Sequence, residues 1–150
     1  MKVEIDKIPL HKQERVLIEC HIISKEVSEI VHFVKSRQEN IEGYDESGIH
    51  IIPLSDIYYV ESVDNRVYIY LKKSVCEIKM RLYEFEEVYS GKEFFRCSKD
   101  TIVNLMKIQF LKPALNSRFS AVLTNGETII ISRKYVSDLK NKLRGGQNNE

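Results

Sequence analysis

The strongest constraint on the fold is a long stretch of alternating apolar and polar residues, broken by turn residues, that begins near residue 49. Residues 57–80 are rich in β-branched and aromatic side chains, which fit the half-buried surface of a pleated sheet. The VDNR sequence at residues 63–66 favours a tight turn, because Asp and Asn accept left-handed dihedral angles. The pattern therefore predicts a β-meander, with strands near residues 57–61, 67–71 and 75–80.

The last third of the chain repeats this pattern. Residues 119–123 and 128–131 are β-prone and flank Asn125–Gly126. Asn-Gly favours a type I′ turn, in which both central residues take positive φ, so we predict a β-hairpin with a turn of that type. Further strands are expected near residues 101–103 and 109–113, with a turn at residues 116–118.

The first 40 residues have a different pattern. Residues 1–8 and 15–23 carry apolar side chains in an arrangement that predicts two strands. Ser24 is a suitable N-cap, because its hydroxyl can accept a hydrogen bond from the first turn of a helix. The apolar spacing that follows predicts an amphipathic helix that ends near Gln38.

Two short helices are expected among the later strands, at residues 82–89 and, after the N-capping residue Ser132, at residues 134–143. Together the patterns predict an α+β fold that is mostly β. We divide it into an N-terminal strand–strand–helix appendage over residues 1–42 and a β-domain with short helices over residues 43–150, which ends in a frayed tail.

Composition and motifs exclude several protein classes. The chain has no apolar run of about 20 residues and begins without the apolar core of a secretory signal, so we expect a cytoplasmic protein. Its cysteines, Cys20, Cys76 and Cys97, form no CxxC pair, and its four histidines lack metal-ligand spacing. Phosphate-binding glycine motifs and hydrolase motifs are absent from the sequence. We therefore expect no catalysis, no metal and no cofactor.

The net charge of +1 hides an uneven distribution. Residues 1–90 contain 12 Lys and Arg against 17 Asp and Glu, whereas residues 96–144 contain 10 Lys and Arg against 3 Asp and Glu. An acidic body with a basic final third can orient a protein toward a polyanion, although solvated surface cations would give the same count.

Polar and basic residues follow several predicted strands at the point where each ends. They are Asn65, Arg66, Ser98, Lys99, Arg133 and Lys134. Loops at the ends of a rigid sheet are good positions for recognition side chains. If these loops converge, they would offer Lys and Arg to phosphates and guanine edges, and an amide to adenine. Soluble turn residues that do not converge are the alternative interpretation.

Three sequence segments together resemble the LytTR DNA-binding domain of bacterial transcription regulators. They are IIPLSDIYYVES, FFRCSKDTIVNLMKIQFLKP and LTNGETIIISRKYVSDLKNKL, within residues 49–143. The resemblance implies an elongated β-fold that inserts loops into successive major grooves, and no receiver domain is recognisable in the short N-terminal part. It implies base contacts at Lys99 and at Lys134, the latter with Arg133 beside it, and a looser assignment at Asn65 or Arg66. Asn104, Ile102, Phe94 and Phe95 are expected to support the loops and the core.

The resemblance also implies partners. We expect a sequence-specific regulator that binds double-stranded DNA at promoter direct repeats, as a homodimer or as two monomers. A small membrane protein is a plausible regulator, and the acidic N-terminal part would serve dimerisation or that contact. The operator, the direction of regulation and the inducing signal are not evident from the sequence.

Two other functions remain open from the sequence. The first is a protein-interaction or sensory module that kept the sheet without DNA affinity, against which the basic final third argues. The second is an RNA-binding β-domain that stacks bases on Tyr68 and Tyr70, although no RNP-like motif is present. Cys97 lies two residues from Lys99 between cations, so oxidation of its thiol could affect DNA binding.

Overall fold

The computed structural model describes residues 1–89 and 93–144. The frayed tail predicted at residues 145–150 lies outside the described residues. The helices are α1 (Lys25–Gln38), α2 (Leu82–Val88) and α3 (Arg133–Leu143). The strands are β1 (Asn40–Asp45), β2 (Gly48–Pro53), β3 (Tyr59–Val63), β4 (Arg66–Tyr70), β5 (Val75–Ile78), β6 (Phe94–Arg96), β7 (Thr101–Asn104), β8 (Ile108–Pro113), β9 (Phe119–Leu123) and β10 (Thr128–Ile131).

The strands form two antiparallel sheets. One has seven strands in the order β2-β1-β5-β4-β3-β7-β6, and the other has three in the order β10-β9-β8. The predicted meander is confirmed as β3, β4 and β5, and the predicted hairpin of the final third as β9 and β10. Strand β1, which pairs with β2 along its whole length, was not predicted. The mostly β, α+β fold class is confirmed.

The seven-stranded sheet separates two apolar cores, because alternate residues of each strand point to opposite faces. Val60, Ile69 and Ile102 face a core closed by α2, whose Phe85 is fully buried there. On the other face, the three-stranded sheet and α3 cover a second core, whose residues are Tyr58, Phe95, Cys97, Val103, Ala121, Leu123, Ile129, Ile131 and Leu139. The loops that carry the predicted site residues therefore extend from strands that are packed on both faces.

Residues expected to support the core do so. The Asn104 side chain is buried, donates to the Ile57 carbonyl over 2.8 Å and accepts from the Met106 amide over 3.0 Å. Ile102 is 1% exposed, and Phe95 lies in the core under α3. The division into residues 1–42 and 43–150 stays a prediction, and β1 crosses its boundary.

The predicted N-terminal strands are absent. Helix α1 forms as expected, and the Ser24 hydroxyl accepts from the Val27 amide over 3.2 Å. Residues 1–8 and 15–23, however, pair with no strand in the described part of the chain. β-Branched composition favours extended backbone, but a strand also needs a partner with which to form its hydrogen bonds.

Of the two predicted tight turns, the one between β3 and β4 is confirmed and the one between β9 and β10 has a different type. At the β3–β4 turn, Asp64 and Asn65 both have positive φ, of 51° and 65°, which is the type I′ arrangement. At the β9–β10 turn only Gly126 does, with φ of 90°, and its amide donates to the Leu123 carbonyl over 2.9 Å. The type I′ prediction for Asn125–Gly126 is therefore wrong, because a longer loop closes that hairpin.

Tyr70 is not a free platform for stacking bases. Its ring stacks on Tyr59 with centroids 4.2 Å apart, and its hydroxyl donates to Glu61 over 2.9 Å. Burial, then the hydrogen bond to Glu61, raises the pKa of Tyr70 to about 12. This ring is already used in packing, which removes one support for the RNA-binding alternative.

Candidate nucleic-acid interface

The β3–β4 turn presents two of the predicted site residues. Val63 and Arg66 pair across the hairpin and leave Asp64 and Asn65 as its two-residue tip. Asn65 and Arg66 are both exposed. The Arg66 guanidinium lies 3.8 Å from the Glu77 carboxylate, so part of its charge is balanced by the neighbouring strand.

The loop between β6 and β7 is held in shape by Arg96. Its Nε donates to the Ser98 carbonyl over 2.8 Å, and its Nη2 donates to the Lys99 carbonyl. Its Nη1 donates to the Glu86 carboxylate on α2 over 3.0 Å. The Lys99 side chain is exposed on this braced loop, while Ser98 is half-buried. The sequence did not identify Arg96 as a residue of the site, because its role depends on where the Ser98 and Lys99 carbonyl groups lie in the folded chain.

Two backbone hydrogen bonds bring the predicted loops together. The Ser62 amide donates to the Asp100 carbonyl over 2.9 Å, which joins the end of β3 to the loop before β7. The Ser132 amide donates to the Cys97 carbonyl over 2.9 Å, which joins the start of α3 to the same loop. The turn at Asn65, the loop at Lys99 and the first turn of α3 therefore lie at one end of the molecule.

A fourth segment, which is not among the predicted site residues, also lies at this end. Phe119 pairs with Ile131, so the turn before β9 lies beside the start of α3. An open hollow between the two segments is lined by Asn116, Ser117, Arg118, Ser132, Arg133 and Lys134. Asn116 and Ser117 have positive φ of 60° and 61°, a strained backbone of the kind that occurs at functional sites. Two features of the sequence could have indicated this segment: the turn predicted at residues 116–118 and the basic side chain of Arg118.

We call the four segments at this end the loop surface: residues 64–66, 98–100, 116–118 and 132–134. Its exposed cations are Arg66, Lys99, Arg118, Arg133 and Lys134. Its acidic residues are Asp64 and Asp100. The predicted site residues are thus brought together, and both Lys99 and Lys134 are exposed.

The first turn of α3 adds a favourable dipole to the loop surface. Arg133 and Lys134 occupy its first two positions, no acidic residue lies in this turn, and the Ser132 hydroxyl makes no capping hydrogen bond. Unsatisfied amide groups at a helix N-terminus attract anions. A phosphate would meet both the amides and the two cationic side chains there.

Cys97 does not have the environment of a redox-sensitive thiol. It is fully buried, and its Sγ donates to the Thr101 carbonyl over 3.3 Å. Burial raises the pKa of the Cys97 thiol to about 12, against a smaller lowering by Arg96. The expectation that neighbouring cations make this thiol reactive is therefore wrong, because desolvation outweighs them.

Two further properties hold for residues 1–89 and 93–144. No group of three or more His, Cys, Asp or Glu side chains there is arranged to hold a metal ion. No helix in the same residues has the length and apolar character required to span a membrane.

Comparison with known proteins relates the sequence to regulators. "Sensory transduction protein LytT" of Enterococcus faecalis is 30% identical over 109 residues, which cover 73% of this chain and 44% of that protein. "Transcriptional regulatory protein YpdB" of Escherichia coli K12 is 26% identical over 108 residues, again 44% of its length. This chain therefore spans less than half of these two relatives. "Uncharacterized HTH-type transcriptional regulator SAS2254" of Staphylococcus aureus is 27% identical over 136 residues, and the match covers 92% of it.

A solved structure has the same fold. It is the LytTr DNA-binding domain of a putative methyl-accepting/DNA response regulator from Bacillus cereus, with a TM-score of 0.65 and 29% sequence identity. The match covers 71% of this chain and 96% of that domain. The family description "LytTr DNA-binding domain" matches residues 47–144, which include all four segments of the loop surface. The chain belongs to the LytTR family of DNA-binding domains.

Proposed function

We propose that this protein is a sequence-specific transcription regulator that reads double-stranded DNA with the loop surface. The observation that carries the proposal is the Ser132–Cys97 backbone hydrogen bond, because it sets the Lys134 and Lys99 loops side by side at one basic end. A transcription regulator needs such a rigid, cationic surface to meet a phosphate backbone and the base edges between the phosphates.

Each part of the loop surface has a role in this proposal. Lys99 and Lys134 read base edges in successive major grooves, where Lys donates to guanine acceptors, and Asn65 is placed to pair with adenine. Arg118 and Arg133 contact phosphates beside the first turn of α3. Arg66 contributes less, because Glu77 balances its charge. The protein acts without catalysis, since its work is positioning.

The assembly on DNA is also part of the proposal. Two copies bind a promoter direct repeat, as a homodimer, and the protein works in the cytoplasm, where its DNA lies. A small membrane protein controls it through the N-terminal part. That part, residues 1–42, has 8 Asp and Glu against 7 Lys and Arg, so it lacks the surplus of cations found on the loop surface. It joins the domain at the far end of α3 from Arg133.

The test is DNA binding by the full chain across a salt series. We expect the wild-type protein to shift the gel mobility of the DNA upstream of its own gene, and to do so in the presence of a competitor DNA of equal length and scrambled sequence. The double variant Lys99→Ala, Lys134→Ala should lose this shift. The matched control is Lys72→Ala with Lys73→Ala, because these exposed lysines follow β4 at the opposite end of the sheet. Normal binding by the Lys99 and Lys134 double variant would contradict the site. No specific binding by the wild type would favour the interaction-module alternative.

A further inference from the structure

Two carboxylates lie among the five exposed cations of the loop surface. They belong to Asp64 and Asp100, which are both exposed. A negative charge on a surface that meets a phosphate backbone lowers the affinity for every DNA sequence, because it opposes the attraction that the cations supply. Each of these two residues therefore requires its own explanation.

The identity of Asp64 is explained by the backbone of its turn. Asp64 is the first of the two tip residues between β3 and β4 and has a φ of 51°. Asp and Asn are the residues other than glycine that adopt this left-handed conformation most readily. A contact between Asp64 and DNA is not needed to account for this side chain.

The identity of Asp100 has no such structural explanation. Its φ is not positive. Within residues 1–89 and 93–144, its carboxylate makes no hydrogen bond and no ion pair. The neighbouring guanidinium of Arg96 donates to the Ser98 and Lys99 carbonyls and to Glu86 instead. The Asp100 carboxylate is therefore free to accept hydrogen bonds from a ligand.

The backbone of Asp100 is held on both sides. Its amide donates to the Ser98 hydroxyl over 3.3 Å, and its carbonyl accepts from the Ser62 amide over 2.9 Å. The next residue, Thr101, is buried and pairs with Glu61 of β3. Asp100 thus lies where the loop that carries Lys99 meets the end of β3. A side chain on a backbone that is already ordered loses less conformational entropy when it binds.

Lys99 and Asp100 together offer a donor and an acceptor to the edge of a base pair. Consecutive Cα atoms are about 3.8 Å apart, so the two side chains start from neighbouring points. A Lys ammonium only donates hydrogen bonds, whereas an ionised carboxylate only accepts them. In the major groove, a G·C pair presents the acceptors N7 and O6 of guanine beside the donor N4 of cytosine. The chemistry of the two side chains matches that edge.

We infer that Asp100 is a specificity-determining residue, whose carboxylate accepts a hydrogen bond from the N4 amino group of a cytosine beside the guanine contacted by Lys99. This inference rests on the proposed function, in which Lys99 reads a base. The same carboxylate rejects other sequences, because thymine O4 or guanine O6 at that position would set one acceptor against another. Asp100 therefore lowers the affinity for random DNA and favours the correct site.

The experiment begins with selection of duplexes from a random-sequence DNA pool by the full chain. Anisotropy titrations follow, on the selected duplex and on versions of it with one base pair changed. We expect the wild type to require one C·G pair, at which a change weakens binding about tenfold or more. Asp100→Ala should accept any base pair at that position and keep the other preferences of the wild type.

The matched control is Asp64→Asn, which removes one negative charge from the same surface and keeps a residue that accepts positive φ. It should raise the affinity for selected and unselected DNA by the same factor. Asp100→Ala should raise only the affinity for unselected DNA, so that the ratio of the two affinities falls about tenfold. Since the Asp100 carboxylate makes no contact within the described chain, the melting temperature of this variant should equal that of the wild type.

Two results would overturn the inference. One is an Asp100→Ala variant that selects the same base at every position as the wild type. The other is a rise in affinity by the same factor on selected and unselected DNA, as expected of the control. In both cases a wild type that selects a defined sequence leaves the proposed function standing. A wild type that selects no sequence would overturn the proposed function, and this inference with it.

Discussion

The backbone amide of Ser132 donates to the carbonyl oxygen of Cys97 across 2.9 Å, although the two partners are 35 positions apart in the chain. The bond ties the N-terminus of α3 to the loop that carries Lys99. Because Cys97 and Ile131 are both buried in the same apolar core, the two loops are held by packing as well as by the hydrogen bond.

Arg118 should behave differently from Lys134. Arg118→Ala should weaken binding to every DNA sequence by a similar factor and lower the salt slope by about one unit, because a phosphate contact carries no sequence information. Lys134→Ala should cost about 1–3 kcal/mol on the specific site and much less on random DNA, if the side chain reads a base. Anisotropy titrations on both DNAs at several salt concentrations measure the difference. Equal effects of the two variants on both DNAs would refute the division of roles.

Arg96→Ala should reduce DNA affinity, because Arg96 holds the shape of the loop that carries Lys99. The variant loses the donors that hold the Ser98 and Lys99 carbonyls, so Lys99 must be ordered on binding. We expect a loss of affinity of about tenfold. Glu86→Ala is the control, because it removes the surface ion pair of 3.0 Å and leaves both carbonyl contacts. If Glu86→Ala binds DNA as weakly as Arg96→Ala does, the ion pair matters more for DNA affinity than the order of the loop.

Asn65 allows fold and function to be separated at one position. Asn65→Gly should keep the turn, since glycine adopts the positive φ of 65° without strain, but it should lose the discrimination due to the amide. Asn65→Val should instead lower the free energy of unfolding by about 1–2 kcal/mol, because a β-branched residue is strained there. Urea unfolding and binding to an operator with single-base changes measure the two effects. Unchanged base discrimination in Asn65→Gly would remove Asn65 from the site.

Cys97 should make the fold less stable in alkali. Its pKa is raised to about 12 in the folded state, so the unfolded chain loses its thiol proton at a lower pH than the folded chain. The contribution is complete below the ordinary thiol pKa of about 8.5 and declines as the pH rises above it. Cys97→Ala should therefore show a shallower loss of stability between about pH 9 and 11 than the wild type.

The control for this prediction is Cys20→Ala, because Cys20 is exposed. Its stability profile in urea should follow that of the wild type at each pH. A Cys97→Ala profile as steep as that of the wild type would assign the alkaline loss to other groups, of which Tyr59 and Tyr70 are the first candidates, since burial raises both of their pKa values.

Local patterns were sufficient for most of the β-domain. The Asp64–Asn65 turn was read correctly because two consecutive residues with the same backbone preference decide it. In the loop between β9 and β10, Gly126 has the predicted positive φ and Asn125 does not. The reason is that this loop is longer, and the Glu127 carbonyl accepts from the Leu123 amide over 2.8 Å. A turn type thus depends on how its two strands are paired, and the dipeptide alone does not decide it.

The sequence by itself determined the strands of the meander, the capped helix α1 and the identity of the basic loop residues, because each depends on neighbours a few residues apart. Only the tertiary structure decided that residues 64–66, 98–100 and 132–134 lie together, that Arg118 joins them, and that Cys97 is buried beneath them. These outcomes depend on hydrogen bonds and packing between strands that are far apart in the chain. The same reason leaves residues 1–23 unpaired in the single chain, since a strand-forming sequence becomes a strand only when a partner supplies the other half of its hydrogen bonds.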